Sequence, residues 1–232
     1  MLDFPDGANV SLSANSSINN IALKTVFFHI RMDSFPSANN DLVSKINAGA
    51  TAGWDVFFEG QVGRLWLTYF HAYSVTGGEW HTDASTIAAN TIYTISVSYD
   101  ADLLADPSMY INGVLQNVTE SSTPSITSVD DSAQSLVVGD IGNAIDAQIT
   151  EVAIWNVILT DDEHKLLHLC NTKRTPLQVR PSALVVYYPM DDFPQGVTAS
   201  GTASVRDMSS SGNNGTPASS PVGFAEPILS YT

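Results

Sequence analysis

The sequence predicts an all-β chain of antiparallel strands carrying one short helix. Three observations predict it. Apolar residues recur with period two in several stretches, the pattern of a strand with one face on a core. Asn112-Gly113 between two such stretches marks a tight hairpin. Of 232 residues, 44% are hydrophobic and 14% charged, enough apolar content for a packed core and too much for a disordered chain. A single domain of this length buries roughly 70–75% of its unfolded surface, so no staple is needed.

Taken in chain order, Val26, Phe28 and Ile30 alternate with Phe27, His29 and Arg31. Trp54–Phe58 follows as a short strand, then Leu65, Leu67 and Tyr69 alternate with Arg64, Trp66 and Thr68. Tyr93, Ile95, Val97 and Tyr99 alternate with Thr94, Ser96 and Ser98 in the clearest case. Asn112-Gly113 joins Ser108–Ile111 to Leu115–Val118, since a type I′ turn needs positive φ at both central positions. Further strands fit Ser135–Val138, Gln148–Trp155 and Ala183–Tyr188, with Asp6-Gly7, Gly77-Gly78 and Gly142-Asn143 as turns. Thr160 and Glu163 form a capping box ahead of His164–Leu169, which predicts a helix of about two turns at the edge of the sheets. The segment Asn171–Pro181 holds Lys173, Arg174 and Arg180 together with Pro176 and Pro181 and reads as an extended crossing; Gly196–Ser220 reads as loop.

Charge and cysteine usage bound the function. Nine basic against 24 acidic residues leave a net charge of −15, which argues against nucleic acid and anionic membranes as partners. Cys170 is the single cysteine, so no internal disulfide forms. No apolar run is long enough to insert in a bilayer, and Met1 to Asn20 do not read as a secretory signal, so the expectation is cytoplasmic synthesis or a leader already lost. Sequons at Asn9, Asn15, Asn117 and Asn214 are chance matches in a chain rich in Asn, Ser and Thr. No G-x-S-x-G is present, and His164 and His168 share a helix face without the Glu that a zinc protease places after the first His. No catalytic residue is assigned, and the chain is expected not to be an enzyme.

Several segments, read in order, resemble the laminin-G-like jelly roll of the concanavalin A-like lectin/glucanase superfamily. They run from Leu2–Gly7 and Thr25–Ile30 through Leu42–Lys45, Gly53–Val56, Ile95–Asp100, Met109–Val114 and Leu136–Gly139 to Ile149–Asn156 with Leu159, Thr160 and Glu163. The resemblance implies a two-sheet antiparallel β-sandwich (jelly roll) over residues 1–170; composition adds a basic connector at 171–181 and a C-terminal strand and loop-rich arm at 182–232. The stretches Ala183–Asp192 and Asp207–Thr216 look like a segment that often precedes such a jelly roll, so the arm either completes its own sandwich or reaches a neighbouring copy. The glucanase branch uses E-x-D-x-x-E on one strand; none of the six glutamates is followed by Asp two residues on. The resemblance also implies calcium at Asp207 and Asn213, with Asp146 or Asp191 and Asp192 compensating for Thr150, which stands where the family often has Asp. His29 and Ile92 replace aromatic positions of the family.

Glycan binding needs aromatic faces beside polar groups, and Trp66, His71, Tyr73, Trp80 and His81 lie in one stretch, with Trp80 read as a loop aromatic. Ordinary packing is the competing account of both tryptophans. Lys173, Arg174 and Arg180 are the candidate assembly contact on an otherwise acidic chain. The functional expectation is a non-enzymatic module on a virion surface, a capsid decoration or adhesin, with homo-oligomeric or capsid and tail partners. The alternative is a calcium-assisted, extracellular carbohydrate-binding lectin.

Overall fold

The computed structural model describes residues 1–5, 7–35, 37–47, 49, 51–60, 62–69, 77–101, 105–124, 128–140, 145–169 and 175–224. Sixteen strands and one α-helix follow in order among them: β1 Leu2–Phe4, β2 Asn9–Leu12, β3 Leu23–Met32, β4 Asn40–Ile46, β5 Gly53–Glu59, β6 Arg64–Tyr69, β7 Gly78–Thr82, β8 Ile92–Asp100, β9 Ser108–Ile111, β10 Val114–Leu115, β11 Val118–Ser122, β12 Leu136–Gly139, β13 Ala147–Trp155, α1 Asp161–Leu169, β14 Leu184–Tyr188, β15 Thr216–Ala218 and β16 Val222–Gly223. The pairs are antiparallel, in two eight-stranded sheets. The first sheet runs β10-β9-β8-β3-β13-β1-β16, with β14 also on β13; the second runs β11-β7-β6-β5-β4-β12-β2-β15. The two sheets pack face to face as a sandwich. No helix among the described residues is long and apolar enough to cross a membrane.

The alternating rows meet between the sheets. Val26, Phe28, Ile30, Ile95, Val97 and Tyr99 from the first sheet pack with Val56, Phe58, Leu65, Leu67 and Val138 from the second. The period-two rule breaks on β3, where Phe27 is buried too. A second core covers that outer face: Phe27, Ala153, Trp155, Leu159, Leu167, Leu184 and Tyr187 close under α1. Helix α1 begins as the capping box predicts. The Thr160 backbone N–H donates to Glu163 Oε2 at 2.8 Å, and Glu163 N–H reaches back to Thr160 Oγ1 at 3.4 Å. Asn112 and Gly113 have φ of 52° and 70°, as the hairpin requires. A Cβ on Gly113 would lie 3.0 Å from His168 Cβ and 3.2 Å from Lys165 Cα, so the hairpin tip rests on the helix.

Three local expectations need correction. The stretch expected as Leu115–Val118 is two strands in different sheets, β10 and β11, because the chain crosses between them at Gln116 and Asn117. The described part of the connector, from Thr175 on, is not extended: Thr175–Gln178 and Pro181–Ala183 are 3₁₀ turns, the second with Pro at its start, where proline's fixed φ suits a helical turn. The Gly196–Ser220 stretch contains β15, a short strand without alternation that pairs with β2. The arm from residue 182 on hydrogen-bonds to its own chain. β1 pairs with β13 at Ala147–Ile149 and β14 pairs with it at Val152–Trp155, so the two lie end to end on one edge. Between them β13 bulges, with Glu151 at φ 56°.

Candidate functional site

The outward face of the second sheet carries a row of rings. Antiparallel register places Phe57 of β5 opposite Trp66 of β6, and Trp66 opposite His81 of β7. All three are half-buried, whereas their strand neighbours Val56, Phe58, Leu65, Leu67 and Trp80 point into the core. Phe57 and Trp66 stack with centroids 5.6 Å apart at 19°, and Trp66 meets His81 at 4.5 Å and 40°. Cross-strand partners on one face of a sheet stand about 5 Å apart, so the pleat itself assembles the row.

Polar groups hold the rings. Trp66 Nε1 donates to Glu59 Oε2 at 3.0 Å, and Arg64 Nη1 lies 3.5 Å from the same oxygen. His81 Nδ1 is 2.8 Å from the Thr82 carbonyl, which only accepts, so that nitrogen carries a proton. Beyond Phe57 the row continues to Asp41 of β4, and beyond His81 to Thr119 of β11. Asp41 N–H donates to Asp140 Oδ2 at 3.1 Å. Burial, with the Asp140 charge behind it, pushes the Asp41 carboxyl up to about 6, against a hydrogen bond from Ser44. Chemically, the row offers a half-buried aromatic surface bordered by hydrogen-bond acceptors. It contains no nucleophile paired with a base.

Of the expected glycan residues, the structure brings Trp66 and His81 together. Trp80 is not a loop aromatic. It sits in β7 at 0% exposure, its ring over Gly78, where a Cβ would come within 2.1 Å of the indole, and its Nε1 donates to Asp106 Oδ1 at 2.8 Å. Strand parity, opposite to that of His81, turns it inward. His71 and Tyr73 lie outside the described residues. Phe57 was missed by the sequence reading, although period two with Trp54, Val56 and Phe58 inward leaves a large aromatic facing out.

The residues expected for calcium are taken up by the fold. The Asp207 carboxylate accepts from Tyr187 N–H at 2.8 Å, Ser209 N–H at 2.9 Å, Ser209 Oγ at 2.7 Å and Asn213 N–H at 2.7 Å. Those four donors share the lone pairs that a cation would also use. Asn213 is 1% exposed; its Nδ2 donates to Val185 O and Ser17 Oγ, and its Oδ1 accepts from Asn15. Asp146 accepts from Ser34 Oγ at the far end of β13, roughly 20 Å along the strand from the Ala153 position that pairs with Tyr187. Asp192 is paired with Arg206 at 2.7 Å. Thr150 Oγ1 donates to Pro189 O at 2.6 Å and ties the arm to β13. No three His, Cys, Asp or Glu among the described residues gather as a metal site.

The basic segment is likewise not a free docking cation at Arg180, whose Nε lies 2.5 Å from Glu163 Oε1 of the same chain. Lys173, Arg174 and Cys170 lie outside the described residues. His164 is a structural residue between α1 and the first sheet, bonded to Ser96 Oγ at 2.7 Å and Ser98 Oγ at 3.1 Å and stacked on Tyr110 at 3.9 Å.

Comparison with known proteins bears on the fold. The family model described as the concanavalin A-like lectin/glucanases superfamily matches residues 5–163. No curated protein matches the sequence significantly. A candidate carbohydrate-binding protein from Bacteroides ovatus superposes over 98% of this chain with a TM-score of 0.65 at 16% identity. The chain spans 61% of that protein's length. A heptameric SAP-like pentraxin from Limulus polyphemus superposes with a TM-score of 0.53 at 14% identity, over 75% of this chain and 83% of its own. The CBM40 of Ruminococcus gnavus IT-sialidase gives 0.53 at 12% identity, over 72% and 95%. At these identities the likeness is one of fold.

Proposed function

Because the chain belongs to the concanavalin A-like lectin/glucanases superfamily, we propose that it is a non-catalytic carbohydrate-recognition module whose ligand lies across Phe57, Trp66 and His81. The observation that carries this is the stacked, half-buried row on an outward sheet face, braced by Glu59 and bordered by Asp41. Sugar rings present apolar C–H faces to aromatics and hydroxyls to carboxylates, and both partners are here. The E-x-D-x-x-E carboxylates of the glucanase branch are absent from the sequence, which supports binding without turnover. The test is a glycan array on the wild type and on Trp66→Ala. Binding reduced by about tenfold or more in the variant, at unchanged melting temperature, supports the reading. A blank array, or equal binding by the variant, rejects it.

A second observation favours a role in a surface assembly, with a virion as the setting expected from the sequence. Val114 and Leu115 are 62% and 53% exposed on the edge strand β10, next to α1 with Leu169 at 72%. This apolar strip belongs to the first sheet and leaves the aromatic row on the second uncovered. We assign it to contact with a second copy of the chain. Sedimentation of the wild type as an oligomer, and of Val114→Asp/Leu115→Asp as a monomer, is the expected result. A monomeric wild type at tens of micromolar removes the self-association.

A further inference from the structure

We infer that the aromatic row selects uncharged glycans and rejects those carrying carboxylates, an inference that rests on the recognition role proposed above. The argument is an inventory of charge. Of nine basic residues, Lys24 and Lys45 are 2% and 0% exposed, and Lys45 Nζ is spent inside on Asp131 Oδ1 at 2.9 Å. Every other described cation faces a carboxylate of the same chain: Arg31 with Asp33, Arg64 with Glu59, Lys165 with Asp162, Arg180 with Glu163 and Arg206 with Asp192. Each exposed cation among the described residues thus already has a carboxylate of its own chain beside it, on a protein of net charge −15.

The row sits inside that acidic field. Along β5 the positions of the same parity as Phe57 are Asp55, which is buried, and Glu59, which is half-buried. Glu79 occupies the outward position beside His81 on β7, and Asp41 faces Phe57 across the strand pair, with Asp140 against its backbone. Same-face neighbours along a strand are about 7 Å apart and cross-strand neighbours about 5 Å, so a ligand lying on the row comes within about 10 Å of the Asp41, Glu59 and Glu79 carboxylates. Among the described residues the one guanidinium at the row, on Arg64, is shared with Glu59, which also holds the Trp66 indole. A carboxylate on the ligand would meet repulsion from several sides with no unshared cation to receive it, whereas sugar hydroxyls find acceptors.

The experiment is an array of matched glycan pairs, each neutral oligosaccharide beside its sialylated or uronic-acid counterpart, in 50 mM and 500 mM salt. The neutral member of each bound pair should bind roughly tenfold more strongly at low salt, with the gap narrowing at high salt. In Glu79→Gln, a residue beside the row and not among its proposed ligand contacts, the gap should shrink while neutral binding persists. Acidic glycans bound as well as or better than neutral ones, or a preference unmoved by salt and by Glu79→Gln, would overturn the inference and leave the recognition role standing. An array blank for every glycan removes both.

Discussion

Acid should loosen the protein through His164, and the size of the effect follows from its surroundings. The imidazole is 1% exposed, between the Ser96 and Ser98 hydroxyls and the Tyr110 ring. Burial lowers its pKa from 6.5 to about 4, against the opposing pull of Asp161 and Glu163. The native state therefore takes up a proton later than the unfolded state does. Stability is complete above pH 6.5 and is lost as pH falls towards 4. The loss amounts to about 2 kcal/mol at pH 5 and about 3 kcal/mol once both states are charged. His29, also lowered to about 4 by burial, adds a loss of the same sign. Asp41, raised to about 6, works the other way over part of the range, because its native carboxyl binds a proton first. Comparison with His164→Gln isolates the one group. Glutamine keeps a donor and an acceptor for the two serines and does not titrate. Urea unfolding between pH 7.5 and 5 should show the variant's acid loss smaller than the wild type's by about 2 kcal/mol. An identical acid limb in the two proteins, or an NMR titration of His164 centred near 6.5, would refute the reasoning.

Two further outcomes are expected. Trp80→Ala should cost about 3–5 kcal/mol and lower the melting temperature by roughly 10–15 °C, since it empties a fully buried indole site and strips Asp106 of its donor; a shift below about 3 °C would place the side chain outside the core. Millimolar calcium or EDTA should leave the melting temperature within about 1 °C, because the Asp207 carboxylate already holds four donors; a rise of about 5 °C or more on adding calcium would show a bound ion.

The strand pattern was legible because each alternating row obeys a local rule. Tyr93 to Tyr99 and Val26 to Ile30 point their apolar members inward as period two demands. The capping box and the Asn112-Gly113 turn are local chemistry as well, complete within four residues. The short strands β15 and β16 were not legible, because two or three residues carry no period and exist only where β2 and β1 offer an edge. The candidate site was half legible for the same kind of reason. Trp66 and His81 stand on neighbouring strands close in sequence, but their contact and that with Phe57 depend on the register of three strands.

The chain's composition, turns and alternating rows were sufficient to make it an antiparallel β protein with one capped helix, since those properties come from neighbours in sequence. Which face of each strand would be covered twice was settled by long-range packing. Helix α1 buries Phe27 and His164 on the far side of the first sheet, while Trp66 on the far side of the second stays half-buried. The same packing drew Trp80 inward, filled Asp207 with backbone donors and paired Arg180 with Glu163. A side chain's availability to a ligand depends on what the rest of the chain places against it, and that information is non-local.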